Sequence, residues 1–236
     1  MNPLPKPKST EKDVLDKTNF EERNETILLE AKELSKADLF QNLSFFIRPG
    51  DRLAIQGPSG AGKTVLLKTL AQLIPCEKGH IWFRGQPIQK LFSPRYRSCV
   101  LYLPQKFRLE PGSVEANLES PFKFYQNKNK PFGREKAISF FLKLGQKSSF
   151  LEKNSEHLSG GEQQWVAMVR ALLLNPFILL LDESMSALDE KNRKRVEELL
   201  LEWLCQDHGH ALIFVSHDSE QRNRFATHRF NMGGLS

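Results

Sequence analysis

The chain has 236 residues, of which 39% are hydrophobic and 26% are charged, and its formal net charge is +6. This length allows one large domain, or two small ones, with a sizeable hydrophobic core. No apolar run reaches the ~18 residues of a membrane-spanning helix, so we expect no transmembrane segment. The positive charge favours an anionic partner, which a nucleotide, a nucleic acid or the inner leaflet of a membrane would provide.

The ends of the chain and its cysteines narrow the class of protein further. Residues 1–26 are polar, contain several prolines and lack the apolar region of a signal peptide. We therefore expect a disordered tail there, followed by a single folded region over residues 27–236. Because the sequence stops soon after the last predicted strand, we expect no regulatory C-terminal domain. The odd number of cysteines argues against a disulfide framework and indicates reduced thiols in a cytosolic protein: Cys76, Cys99 and Cys205.

From residue 27 onward, predicted strands alternate with predicted helices. The β-prone segments are Ile27–Leu34, two strands joined at the Pro49-Gly50 turn within Leu43–Gly57, Gly79–Gly85, Cys99–Gln105, Pro176–Ser184 and Ala211–His217. Helical patterns run from Lys63 to about Leu73, over Gly133–Gly145, after Gly161 and from Asp189 to about Cys205. This alternation predicts an α/β fold with a mostly parallel sheet. Residues from about 106 to 175 form a helical insert, and the residues after His217 read as a short tail.

The segment "GPSGAGKT" fits the pattern G-x-x-x-x-G-K-[ST] and lies between a predicted strand and a predicted helix. In such a loop the glycines let successive backbone N–H groups point into one concavity, and the helix directs its N-terminus there. The lysine would reach the β- and γ-phosphates, and the threonine hydroxyl would bind Mg²⁺. The predicted nucleotide-binding residues are Gly57, Pro58, Ser59, Gly60, Ala61, Gly62, Lys63 and Thr64.

Two carboxylates close the apolar segment "FILLLDE". Asp182 fits the role of a Mg²⁺ partner at the end of a neighbouring strand. Glu183 could orient the attacking water or accept its proton. The alternative is that the two residues merely end a strand and begin a turn; the phosphate loop upstream favours the catalytic interpretation.

Two further polar residues end predicted strands. Ligands of α/β sheets gather beyond the carboxyl ends of the strands. Gln105 could therefore touch Mg²⁺ or the attacking water without adding charge, and His217 could hydrogen-bond the γ-phosphate. We interpret the other histidines as structural: His80, His157, His208, His210 and His228.

The segment "LSGGEQQW" places two glycines where a helical pattern begins. Ser159, Gly160 and Gly161 supply a hydroxyl and two unobstructed amides at a helix N-terminus, which is a second phosphate-binding device. The phosphate loop and the two carboxylates already account for one nucleotide site. We therefore hypothesise that two chains pack head to tail and that each presents this turn to the other's γ-phosphate.

The ordered set "GPSGAGKT", "LPQ", "LSGGEQQ", "LLLDE", "SALD" and "SH" closely resembles the ATP-binding cassette (ABC) ATPases, from about Ile27 to the C-terminus. The resemblance implies a P-loop NTPase (RecA-like) core, an antiparallel β subdomain and an inserted helical subdomain. It implies that Gln105 is the Q-loop glutamine, that Asp189 lies in the D-loop at the dimer seam and that His217 is the switch histidine. It also implies ATP and Mg²⁺ as ligands.

The same resemblance implies the partners. These are a second copy of the chain, in an ATP-sandwich homodimer, and a multi-span membrane permease whose coupling helix enters a groove of the helical insert. The chain would then be cytoplasmic and peripheral on the inner face of the membrane. The segments "YRSCVLYLPQ", "SVEANLESPF" and "DESMSALDEKN" are similar to compact ATP-binding subunits of a metal (iron) exporter family. ATPase subunits do not contact cargo, so the sequence leaves the cargo open.

Two residues depart from the family pattern, and two other functional classes are alternatives to a transporter subunit. Trp165 stands where the family usually has an arginine, and Phe40, the aromatic residue before the second strand, is predicted to be buried rather than stacked on adenine. One alternative is a non-transport ABC ATPase of cell division or iron–sulfur assembly. The other is a nucleic-acid-linked ABC ATPase, but heptads and a second phosphate loop are absent, so we expect no nucleic-acid partner.

Overall fold

Two β-sheets organise the protein in the computed structural model, which describes residues 27–127, 129–206 and 209–233. The first sheet is antiparallel and has the strand order β2-β1-β4-β5. Its strands are β1 (Leu29–Lys36), β2 (Phe40–Ile47), β4 (Lys78–Phe83) and β5 (Gln86–Pro87). Leu29 lies opposite Ile47 on one side and Phe83 on the other, and all three side chains are buried.

The second sheet is parallel and has the order β6-β7-β8-β3-β9. Its strands are β3 (Arg52–Gln56), β6 (Val100–Leu103), β7 (Ile178–Asp182), β8 (Ala211–Val215) and β9 (His228–Asn231). Every residue of β7 and β8 is buried, because a parallel sheet is covered on both faces and its central strands are therefore apolar throughout. The turn at Pro49-Gly50 carries the chain from β2 in one sheet to β3 in the other.

Seven α-helices, besides short 3-10 turns, surround the parallel sheet in the described part of the chain. They are α1 (Lys63–Leu70), α2 (Ser93–Cys99), α3 (Val114–Glu119), α4 (Arg134–Lys143), α5 (Gly160–Leu173), α6 (Glu190–Gln206) and α7 (Ser219–Phe225). Alternate residues of β7 face opposite sides. Leu179 and Leu181 pack with α5, α6 and the insert helices, whereas Ile178 and Leu180 pack with α1 and the antiparallel sheet. The core therefore has two halves, one on each face of the parallel sheet.

The sequence-based interpretation of the residues after His217 as a short tail is wrong. They form α7 and β9, and β9 extends the parallel sheet beside β3. The strand escaped prediction because three of its four residues are exposed, so it lacks an apolar run. Helix α1 also ends earlier than expected, at Leu70, and Gln72 just beyond it has a φ of 54°. The tail predicted for residues 1–26 lies outside the described residues.

Among the described residues, no helix combines the length and the apolar character needed to cross a membrane.

Candidate functional site

The loop Gly57–Thr64 connects the end of β3 to the start of α1. Gly57 packs so closely on the chain after β9 that a Cβ atom there would lie 2.6 Å from the carbonyl oxygen of Met232. Gly62 caps α1 with a φ of 84°, in the left-handed region that favours glycine. The Lys63 ammonium donates hydrogen bonds back across the loop to the carbonyl oxygens of Gly57, at 2.9 Å, and Pro58, at 2.8 Å. These two hydrogen bonds thus close the turn around the side chain of Lys63.

Asp182 ends β7 beside this loop and is 4% exposed. Its Oδ1 accepts a hydrogen bond from the hydroxyl of Thr64 at 3.1 Å, and its Oδ2 accepts one from the hydroxyl of Tyr102 at 2.8 Å. Burial, together with the hydrogen bond to Asp182, raises the pKa of Tyr102, so the phenol stays a donor. Sequence reasoning missed Tyr102, although its place in β6, the strand that ends before Gln105, was a usable signal.

Glu183 follows at once and lies between the ends of β6 and β8. Its Oε2 accepts a hydrogen bond from the Gln105 amide at 2.9 Å, and its Oε1 lies 2.7 Å from His217 Nε2. The neighbouring Ser184 hydroxyl donates to the carbonyl oxygen of Leu103 at 2.8 Å, which ties the ends of β6 and β7 together. The ends of three adjacent strands therefore converge on one carboxylate.

The segment Ser159–Gly161 lies at the start of α5 in a separate cluster. Ser159 accepts a hydrogen bond from the Glu162 amide at 3.2 Å, and the Glu162 carboxylate accepts one from the Ser159 amide at 2.9 Å, which forms a capping box. Burial alone would raise the pKa of Glu162, but its hydrogen bonds from Lys153 and from Ser159 outweigh burial and lower it. The Ser159 hydroxyl, which the sequence predicts to contact a phosphate, therefore also caps the N-terminus of α5.

The two glycines of this cluster lie against the segment that leads to Asp189. A Cβ atom at Gly161 would be 3.3 Å from Cδ2 of Leu188, and one at Gly160 would be 4.0 Å from Cβ of Ala187. Asp189 itself accepts a hydrogen bond from the Asn192 amide at 2.8 Å and so caps α6. The close packing of α5 against this turn thus explains in part why glycine stands at positions 160 and 161.

The structure therefore divides the predicted site residues into two groups. Lys63, Thr64 and Asp182 lie together, with Gln105, Glu183 and His217 beside them. The other group is Ser159–Gly161 with Asp189, and no hydrogen bond joins the two groups within residues 27–127, 129–206 and 209–233. In one chain the second group does not complete the first.

The oxygen atoms at this site suit a nucleotide bound together with Mg²⁺. Mg²⁺ favours carboxylate and hydroxyl oxygens, which Asp182 and Thr64 supply 3.1 Å apart. At Gly60, with a φ of 81°, a Cβ atom would meet nothing within 4 Å, so the loop has an open face beside the helix N-terminus. A parallel sheet with a glycine loop between β3 and α1, a lysine in that loop and a carboxylate at the end of β7, which β8 separates from β3, defines a P-loop nucleotide triphosphatase.

Comparison with known proteins narrows that class. Residues 40–186 match the family model described as ABC transporter. The chain is 35% identical over 187 residues to the probable iron export ATP-binding protein FetA of Escherichia coli, covering 79% of this chain and 81% of that protein. It is also 35% identical to an Fe(3+) ions import ATP-binding protein, FbpC, of Fusobacterium nucleatum, of which it spans 48%. The chain therefore belongs to the ABC transporter family, as an ATP-binding subunit that hydrolyses ATP.

Solved structures agree with the fold. An ABC transporter ATP-binding protein of Pyrococcus furiosus superposes with a TM-score of 0.73 at 25% identity, over 86% of this chain and 96% of that one. A bacterial Atm1-family ABC exporter with ATP bound superposes with a TM-score of 0.74 at 23% identity, over 90% of this chain and 39% of that one. The chain spans about half the length of several curated relatives, including a spermidine/putrescine import protein of Legionella pneumophila at 34% identity.

Proposed function

We propose that the chain powers transport through a separate membrane subunit and that two copies hydrolyse ATP at their shared interface. The observation that carries the proposal is the Glu183 carboxylate, held between Gln105 and His217 and adjacent to the Thr64–Asp182 pair. A carboxylate held in this way is suited to activating water next to a bound phosphate.

In this proposal the residues of the phosphate loop bind ATP. The amides of Gly57–Thr64 and the N-terminus of α1 donate to the phosphates, and Lys63 exchanges its carbonyl partners for β- and γ-phosphate oxygens. Thr64 and Asp182 would hold Mg²⁺, with Gln105 as a further contact, and the ion would neutralise charge on the phosphates. Tyr102 fixes the orientation of Asp182.

Hydrolysis then depends on Glu183. The carboxylate accepts a proton from water while the water oxygen bonds to the γ-phosphorus. The bond between the γ-phosphorus and the bridging oxygen breaks, and ADP leaves with the electron pair. His217 and Gln105 hold the carboxylate, and His217 also hydrogen-bonds the γ-phosphate. These steps need no redox partner.

The second phosphate contact comes from another copy of the chain. Ser159, Gly160 and Gly161 are separate from the catalytic group within one chain, and α5 begins at Gly160. A helix N-terminus with small residues binds anions. In a head-to-tail dimer this segment faces the partner's γ-phosphate, and Asp189 lies at the seam. Loss of the γ-phosphate removes the bridge, so the dimer opens.

The membrane partner engages the helical insert, which occupies about residues 106–175. A groove of about 440 Å³ separates α5 from the segment around Phe124 and from β6. We place the coupling helix of the permease there, which would locate the chain on the inner face of the membrane. We further propose a metal ion, iron among the candidates, as an exported cargo. Its support is the 35% identity to a probable iron export protein, with 81% of that protein covered.

The ATPase step is tested with Glu183→Gln. We expect phosphate release to fall by about 100-fold or more, because general-base catalysis contributes roughly 10²–10⁴, while ATP binding measured by equilibrium dialysis is retained. Glu198→Gln makes the same change on an exposed position of α6 and should keep wild-type turnover. Turnover of Glu183→Gln within twofold of wild type would remove Glu183 from the mechanism.

The transport step is tested by purifying the tagged chain from detergent-solubilised membranes of its source. A co-purifying multi-span protein without a phosphate loop of its own supports transport. Recovery of soluble assembly proteins alone, or of nucleic acid, would leave the ATPase chemistry and overturn transport. Export is then measured as loss of radiolabelled iron from cells with and without the chain.

A further inference from the structure

Positive charge is concentrated in two segments of the chain, residues 88–108 and residues 120–134. Together they hold nine of the 34 lysines and arginines and none of the 28 aspartates and glutamates. The rest of the chain therefore has a formal net charge of −3, whereas the whole chain has +6. The phosphate loop lies outside both segments, so nucleotide binding by that loop does not explain this separation of charge.

The two segments are neighbours in the fold. Helix α2 belongs to the first segment, and its residue Arg97 lines the same groove as Phe124 and Asn127 of the second segment. Tyr96 directs α2 towards the core, because its side chain is 2% exposed. Arg95 and Arg97 flank Tyr96 on the helix, and both are exposed. The positive charge of the two segments therefore meets on one surface.

The charge of the first segment is not neutralised within the chain. Over residues 27–127, 129–206 and 209–233, neither Lys90 nor the two exposed arginines of α2 form an ion pair with a carboxylate. In the second segment, Lys123 pairs with Glu119 and Arg134 pairs with Glu115. The uncompensated positive charge thus lies on and just before α2.

Large apolar side chains are exposed at the same place. Phe92, Phe124 and Tyr125 are 67%, 61% and 75% exposed, more than any other large hydrophobic residue in the described ranges. Leu73 is 46% exposed and lines a cavity with Ser93, at the start of α2. Basic residues combined with exposed aromatic rings are typical of protein surfaces that lie at the interface of a membrane.

An anionic bilayer complements both features of this surface. Its headgroups attract lysine and arginine, and aromatic rings are stable at the depth of the headgroups. The cytoplasmic loops of membrane proteins are themselves rich in lysine and arginine, so the charge of this surface does not complement such loops. A lipid surface is therefore the partner that the charge favours.

We propose that an anionic lipid bilayer binds directly to one surface of the chain, here called the α2 surface, which consists of Lys90, Phe92, Arg95, Arg97, Phe124 and Tyr125. The basic side chains contact lipid phosphates and the rings enter the headgroup region. This contact does not depend on the proposed transport function, since it needs no membrane subunit. In a transporter it would turn the adjacent groove towards the membrane.

The first test uses the full wild-type chain and vesicles that contain no membrane subunit. The vesicles are made of phosphatidylcholine, with or without one third of phosphatidylglycerol, and the bound fraction is measured by sedimentation. We expect binding to the anionic vesicles alone, and we expect it to be lost as NaCl rises from about 0.05 M to about 0.5 M, because salt screens the attraction. If the anionic vesicles do not bind the chain at the lower salt concentration, the proposal fails, whatever the outcome for transport.

The basic residues are tested with Arg95→Gln combined with Arg97→Gln. Lys147→Gln combined with Arg229→Gln is the matched control, because it removes the same charge from exposed positions outside both segments. We expect the first variant to bind anionic vesicles about 30-fold more weakly, since each basic residue at an anionic surface contributes roughly fivefold. The control should lose no more than about threefold. Equal losses would show that only net charge matters and would overturn the α2 surface.

The rings are tested with Phe92→Ser combined with Tyr125→Ser. Leu142→Ser combined with Leu201→Ser, on α4 and α6, is the matched control for exposed apolar residues. We expect the first variant to bind about 10-fold more weakly and the control to bind as wild type does. Equal binding by both variants and wild type would contradict entry of the rings into the headgroups.

A competition experiment separates lipid from nucleic acid, the other polyanion that basic and aromatic residues bind. Single-stranded DNA is added to the wild-type chain and anionic vesicles at an equal concentration of phosphate. We expect the chain to stay on the vesicles. Transfer of the chain to the DNA would overturn the lipid proposal. The lipid, salt and competition measurements need no variant, so they decide the question even if a substituted chain folds poorly.

Discussion

Glu183 has a φ of 51°, a left-handed conformation that is uncommon for a residue with a side chain. Its backbone is held on both sides: its amide donates to the carbonyl oxygen of Val215 at 3.1 Å, and its carbonyl oxygen accepts from Ser186 at 3.0 Å. Such strain costs on the order of 1–3 kcal/mol and persists where the surroundings determine the conformation. Here it turns the chain off β7 so that the carboxylate reaches Gln105 and His217.

Tyr102→Phe tests the orientation of Asp182. The substitution removes only the hydroxyl that donates to Asp182 Oδ2. Because groups that hold a metal ligand tune the affinity of the site, we expect the Mg²⁺ concentration for half-maximal ATPase activity to rise about 10-fold. A Mg²⁺ titration of phosphate release measures it. Tyr125→Phe, on a residue that is 75% exposed, is the control. An unchanged titration midpoint would show that Asp182 needs no help from Tyr102.

The burial of two aromatic residues explains why the chain departs from the family pattern at their positions. Phe40 is 2% exposed, which confirms the expected burial, and its ring lies under the loop, where a Cβ at Gly62 would be 3.1 Å from it. It is therefore not placed to stack on a base. Trp165 is 6% exposed within the core of α5 and its neighbours. An arginine at that position would have to bury its charge among apolar side chains.

At the scale of elements, the N-terminus of helix α5 has a capping box and, in the proposed dimer, also contacts the partner's phosphate, and one substitution separates these two roles. Ser159→Asp keeps an N-cap, since aspartate caps helices as well as serine, so stability should change by less than about 0.5 kcal/mol. The added charge would face the partner's γ-phosphate, and we expect hydrolysis to fall at least about 10-fold. Urea unfolding and phosphate release measure the two effects.

The control for Ser159→Asp is Ser113→Asp. Ser113 caps α3 in the same manner, with its hydroxyl accepting from the Ala116 amide at 3.1 Å. That variant should retain both stability and turnover. Wild-type hydrolysis by Ser159→Asp would contradict a phosphate site at the start of α5.

Helix α7 makes the folded state sensitive to acid. Hydrogen bonds from the amides of Gln221 and Glu220, together with the charge of Arg193, lower the pKa of Asp218. A depressed carboxyl pKa stabilises the fold above the ordinary value of about 4, and this contribution is lost as pH falls through the lower folded value. The ion pair with Arg193 also joins α7 to α6.

Asp218→Asn should therefore unfold more easily than wild type at pH 7, and the two curves should converge as pH falls below about 4. Asparagine keeps the cap, so the difference reports the charge. Urea unfolding from pH 7 to pH 3 measures it. Asp38→Asn, in the exposed turn between β1 and β2 with a φ of 60° that asparagine tolerates, should follow the wild-type curve. If the free energies of unfolding of wild type and Asp218→Asn differ by the same amount at every pH, the difference does not come from the charge of Asp218.

At the scale of the whole molecule, the predicted nucleotide-binding residues lie at the carboxyl ends of the parallel strands, and the hydrophobic core is divided between the two faces of the sheet. In the part of the chain that the structure describes, no hydrogen bond joins the residues around Glu183 to the start of α5, so the proposed mechanism requires two chains. The net charge of +6 suits the binding of an anionic nucleotide but also makes the two copies repel each other. In the proposed dimer the nucleotide therefore bridges the two copies.

Glu183→Gln with ATP and Mg²⁺ should consequently run as a dimer in sedimentation velocity, because the bridging γ-phosphate is not removed. With ADP, or after chelation of Mg²⁺ by EDTA, it should return to a monomer. Adding Ser159→Asp to Glu183→Gln should prevent the dimer even with ATP. A monomer of Glu183→Gln under saturating ATP would count against the shared interface.

The sequence by itself determined the phosphate loop, the buried central strands and the order of the motifs, because these depend on local spacing and on glycine at fixed positions. It also predicted that Asp182 and Glu183 lie at the end of a buried strand, because two charged residues directly follow an apolar run, and β7 does end at Asp182. Only the tertiary structure decided which strands are neighbours, and so brought Tyr102 to Asp182 across 80 residues of chain. It also decided that β9 extends the sheet beside β3, because this pairing depends on what packs nearby and leaves no periodic signal in the sequence.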